Sequence, residues 1–110
     1  MADLGYAWEK LYLSVITLAT WSNTIQERLA DAYLENLMGL DVELFPKELQ
    51  GEFKEIMDKL NSFNTEGEEY RLNINSKISE VDANELSKRI ISLYDHITEL
   101  KGIRDQKYIV

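Results

Sequence analysis

The sequence predicts an all-α fold, a single-domain bundle of four to five mostly antiparallel helices. Three observations predict it. Apolar residues recur at intervals of three and four along most of the chain. No stretch alternates over enough residues to argue for a strand. Helix-capping patterns cut the chain into pieces of helical length with short connections. The chain has 110 residues, 45% apolar and 29% charged, which is an ordinary balance for one globular domain. That domain is expected to cover 1–110, with 103–110 as a short C-terminal tail.

The first helix is expected from about Gly5 to Thr20, with Trp8, Leu11, Tyr12, Val15, Leu18 and Ala19 on one face. Leu13 and Ile16 widen that face, so the helix should be contacted on more than one side. Thr20-Trp21-Ser22-Asn23-Thr24 then reads as a turn, because short polar side chains compete with helical hydrogen bonding. Thr24-x-x-Glu27 is a capping box that starts a second helix, and Asn23-x-x-Gln26 offers another register. The second helix puts Ile25, Leu29, Ala32, Tyr33 and Leu37 inward and Glu27, Asp31 and Glu35 on a polar face. Gly39 should end it.

Pro46, the only proline, suits the first turn of a third helix that runs to about Ser62, with Leu49, Phe53, Ile56, Met57 and Leu60 inward. Asn64 to Glu68 reads as a loop. Tyr70, Ile74 and Ile78 suggest a short helix, weakened by Asn73, Asn75 and Ser76. The last helix starts from an Asp82-x-x-Glu85 capping box with a Val81–Leu86 staple, or earlier from Ser79-x-x-Asp82. Its face is Leu86, Ile90, Leu93, Tyr94, Ile97 and Leu100, and Gly102 should stop it.

Glu27-Arg28-Leu29-x-x-Ala32-Tyr33, Leu44-Phe45-Pro46-x-x-Leu49-x-x-x-Phe53 and Ile91-Ser92-Leu93-Tyr94 together resemble a pattern in small uncharacterised bacterial helical proteins. These are core and capping residues spread over most of the chain. The resemblance implies a fold and no activity.

Common catalytic routes lack their residues. There is no cysteine and one histidine, His96, so neither a zinc site with several Cys or His ligands nor a paired Glu-x-x-His di-iron site can be built within one chain. No P-loop, no G-x-G-x-x-G and no G-x-S-x-G occurs. No metal and no cofactor is therefore expected. The absence of cysteine fits a reducing compartment, and the N-terminal MADLGYAWEK lacks the pattern of a signal peptide. The cytoplasm is the expected location, without a membrane span. Arg89 and His96 lie seven apart, on the same side of the last helix. This Arg-x₆-His spacing resembles the ribonuclease motif of HEPN domains. That resemblance implies an acid/base role for His96 and a phosphate-binding role for Arg89, although Ile90 stands where the family's pattern has a polar residue.

Charge points elsewhere. The net charge is −8, and residues 27–69 carry all of that excess, with twelve acids against four bases. Such a field repels nucleic-acid phosphates and anionic membranes and speeds encounter with basic surfaces. The favoured expectation is a non-catalytic binding module, a small acidic inhibitor of the immunity-protein or antitoxin type that covers a basic, nuclease-like toxin. Trp21 would anchor, unless it folds back over the core. Glu27, Asp31, Glu35, Asp41 and Glu43 would steer and pair. The alternatives are a HEPN-like ribonuclease using Arg89 and His96, and a structural or homodimeric helical subunit with Leu13, Ile16 and Ile91 at the seam.

Overall fold

The computed structural model describes residues 3–64 and 69–106, with only the helical backbone given for 103–106. Five α-helices follow one another: α1 (Leu4–Thr20), α2 (Ile25–Ala32), α3 (Lys47–Asn61), α4 (Tyr70–Lys77) and α5 (Glu80–Gln106). A π-helical turn, Tyr33–Leu37, prolongs α2, and a 3₁₀ turn, Val42–Leu44, precedes α3. No strand occurs among the described residues, so the all-α bundle expected from the periodicity is the observed fold.

Asp3 starts α1 by accepting the Tyr6 N–H at 3.1 Å. Thr24 starts α2 by accepting the Glu27 N–H at 3.2 Å, as the capping box predicts. The chain between them is extended at Trp21, so the expected turn is Trp21 to Thr24, while Thr20 still belongs to α1. Asp41 caps the 3₁₀ turn through the Glu43 N–H at 3.0 Å. Pro46 sits one position before α3.

The inward face of α1 differs from the expected one. Leu4, Ala7, Leu11, Ser14 and Leu18 are buried, while Tyr12 and Ala19 are exposed. The reason is local hydrogen bonding. Ser14 and Thr17 return their hydroxyls to the carbonyls of Lys10 and Leu13, at 2.9 and 3.0 Å, and so enter the core already satisfied. The small side chains of Ala7 and Ser14 then take inward positions that periodicity assigns to larger residues.

α5 packs antiparallel to α1. Trp8 Nε1 donates to Thr98 Oγ1 at 2.9 Å, and the Tyr12 and Tyr94 rings lie 6.2 Å apart. Leu86, Ile90, Leu93 and Ile97 are buried on this helix as expected. Its two ends depart from expectation. Ser79 is the cap, accepting the Asp82 N–H at 3.0 Å, so the earlier of the two registers is used. Val81 is 70% exposed and makes no staple with Leu86. Gly102 does not stop the helix, which runs on to Gln106; its Cβ position faces open space, so nothing in the packing demands glycine there. The tail expected at 103–110 is therefore helical as far as 106, and 107–110 lie outside the described residues.

α4 is seated differently. Tyr70 is buried, stacks on Tyr33 at 4.6 Å and donates its hydroxyl to the Leu60 carbonyl at 2.8 Å. Burial pushes the Tyr70 and Tyr33 hydroxyl pKa values up. Asn73, also buried, donates to the Phe63 carbonyl at 2.7 Å. Both bonds tie α4 to carbonyls at and just beyond the C-terminal end of α3, where the helical hydrogen bonds run out. Most of the loop expected at Asn64–Glu68 lies outside the described residues.

Candidate partner-binding surface

The residues expected to bind a partner do not share one place. Trp21 and Glu27 stand at the corner between α1 and α2, and Glu35 lies in the turn beyond α2. Asp41 and Glu43 lie near the other end of α1, where the Asp3 N–H donates to the Leu44 carbonyl at 2.9 Å. Trp21 follows the last turn of α1 and is 40% exposed, so it is available to a partner rather than folded fully over the core. Glu35, Asp41 and Glu43 are exposed, and Glu27 is partly so. Among the described residues none of these four carboxylates forms an ion pair. Asp41 spends one oxygen on its own cap.

Asp31 is a correction. It does not sit on a solvated stripe with Glu27 and Glu35 but is 2% exposed and ion-paired to Arg71 of α4. The expected polar face of α2 is instead the face on which α4 docks. Four-residue spacing put the three acids on one side of a helix, but it carried no information about α4. Arg28, the neighbour of Glu27 in the chain, is not paired with these acids: its guanidinium donates to the Leu18 carbonyl at 2.7 Å. It caps the C-terminal end of α1, where carbonyls lack helical partners and the helix dipole favours a cation. No other base occurs between Lys10 and Lys47.

A pocket of about 220 Å³ opens between the start of α2 and α4. Asn23, Glu27, Asp31, Glu69, Arg71, Leu72 and Asn75 line it. The Asn23 side-chain oxygen is buried and accepts no hydrogen bond. Leu72 at the rim is 67% exposed. Three carboxylates against one guanidinium leave the pocket negative, and an unused acceptor adds a place for a donor. A lysine or arginine side chain has the charge and donors for such a pocket. Sequence reasoning missed Asn23, Arg71 and Leu72 here. The one visible signal was an isolated arginine beside Tyr70 in an otherwise weak helix.

Arg89 and His96 project together from α5, as their spacing requires, but both face α3. Arg89 pairs with Glu55 at 2.6 Å and His96 Nδ1 lies 3.0 Å from Glu52. The hydrogen bond to Glu52 raises the His96 pKa above its ordinary 6.5, and the charges of Glu52, Asp95 and Glu99 add to this. A phosphate arriving there meets the Glu52 and Glu55 carboxylates beside His96 and Arg89. No group of three or more possible metal ligands occurs among the described residues. No described helix is long and apolar enough to cross a membrane.

The fold and this surface define a small all-α bundle with an acidic, aromatic-flanked corner. No family model, curated protein or solved structure matches the chain.

Proposed function

We propose that this chain is a non-catalytic protein-binding module that docks on a basic partner through the α1–α2 corner. The observation that carries the reading is the orientation of Arg28. The only base between Lys10 and Lys47 is committed to the end of α1. Glu27, Glu35, Asp41 and Glu43 are thus left without a cation from their own segment, and Glu27 shares the corner with an exposed tryptophan. Trp21 serves as the aromatic anchor, since such residues carry much of the energy of interfaces. Glu27 and the pocket beside it take a lysine or arginine of the partner. In its finer form the module is an inhibitor of the immunity-protein or antitoxin type, whose acidic corner covers the cationic groove of a nuclease-like toxin and works in the cytoplasm.

The test is capture of the partner from the native cell at low and high salt, followed by binding kinetics with the captured protein. Carboxylates that steer encounter should make the association rate fall about tenfold or more as salt rises. Glu27→Lys with Glu35→Lys should slow association further, and Trp21→Ala should speed dissociation. A partner whose affinity ignores both salt and the charge reversals would rule out this corner as the docking surface.

A further inference from the structure

The outward side of α1 repeats the pattern of its inward side. Leu4, Ala7, Leu11, Ser14 and Leu18 alternate at intervals of three and four, and all are buried. Tyr6, Glu9, Leu13, Ile16 and Thr20 alternate in the same way, and all are exposed. That alternation is the spacing at which one helix seats against another. Tyr12 and Ile91, 40% and 45% exposed, widen the outer stripe. Beside it runs a groove of about 260 Å³ between α1, α2 and α5, lined by Val15, Leu18, Ala19, Ile25 and Ile91 among others. Its charged groups are Arg28 and Lys88. The Arg28 Nε is buried without a hydrogen-bond partner.

We propose that this side of the molecule is the seam of a homodimer, with α1 of one copy packed antiparallel on α1 of a second. Charge selects the occupant. Two chains of net charge −8 repel each other, so they meet most easily through a side that is nearly neutral. α1 carries one acid, Glu9, and one base, Lys10. Glu9 lies toward the N-terminal end of the outer stripe. Lys88 lies in the groove with Ala19, toward the C-terminal end of α1, where it makes only an exposed pair with Glu85 at 3.3 Å. An antiparallel register that sets Leu13 and Ile16 against Ile16 and Leu13 of the second copy brings Glu9 opposite the second copy's Thr20. That position adjoins the groove holding Lys88 and Arg28. In a two-fold contact the pairing forms twice. A parallel register would instead set Glu9 against Glu9.

Sedimentation velocity across a concentration series tests the seam. The expected mass is twice 12.8 kDa at the upper concentrations. Ile16→Glu, on an exposed position, should raise the dimer dissociation constant about a hundredfold, with helicity checked by circular dichroism. Glu9→Lys and Lys88→Glu should each weaken the dimer about three- to tenfold, and together should restore it. A mass of 12.8 kDa at every concentration overturns the proposal. So does a dimer indifferent to both Leu13→Glu and Ile16→Glu. A combined charge exchange no stronger than the single variants overturns the antiparallel register.

Discussion

Helices α4 and α5 reach the same core by different means. α5 presents Leu86, Ile90, Leu93 and Ile97 in a regular apolar row. α4 contributes Tyr70 and Ile74 to the core, and is otherwise held by polar groups: Arg71 on Asp31, Asn73 on the Phe63 carbonyl and Tyr70 on the Leu60 carbonyl. The first seat follows from area removed from water, which is non-directional and recurs with the helical period. The second depends on individual donors meeting individual acceptors, and its strength lies in what would be left unsatisfied without them. The bundle is thus robust along α1 and α5, and locally specified where α4 covers α2.

Substitutions at three places probe that contrast. Leu93→Ala strikes the apolar row at a residue 1% exposed. It should cost about 3 kcal/mol, lowering the denaturant midpoint of the whole fold in one transition. A loss of protection limited to α5 in hydrogen exchange would mean that this row is less central than its burial indicates.

Arg71→Ala comes next, at about 2–3 kcal/mol, because it strands the buried Asp31 carboxylate. Removing both partners, as Asp31→Leu with Arg71→Ala, should cost less than Arg71→Ala alone, since no charge is then left behind. Hydrogen exchange should show the loss at the amides of α4 before those of α5. Equal losses for the single and double variants would show that α4 is held by its apolar contacts instead.

The smallest effect belongs to the polar rim between α3 and α5. The folded-state pKa of His96 is raised by Glu52, so its contribution to stability is full below the ordinary value of 6.5 and is lost as pH rises through the folded value. His96→Gln should therefore destabilise the chain more at about pH 5.5 than at about pH 8, as read by thermal unfolding. An equal loss at both values would remove the ionic part of the contact.

The proposed site divides in the same way. The sequence left open whether Trp21 folds over the core, and it is 40% exposed. Glu35, Asp41 and Glu43 were legible as exposed acids, because charged side chains on a connector or a helix face stay accessible. Asp31 was not, because its burial depends on Arg71, forty positions away in sequence. Nor was the inward turn of Arg28, which depends on where α1 ends relative to α2.

By itself the sequence determined the all-α class, a count of four to five helices, the cap at Thr24, the inward rows of α3 and α5, and the concentration of acid in residues 27–69. Each of these is local or periodic, set by hydrogen bonds within a few residues or by the repeat of the helix. Tertiary structure alone decided which side of α1 faces inward and that the polar side of α2 receives α4. A buried ion pair and the face on which another helix docks leave no period in a sequence. Their energies depend on partners that only folding brings within reach.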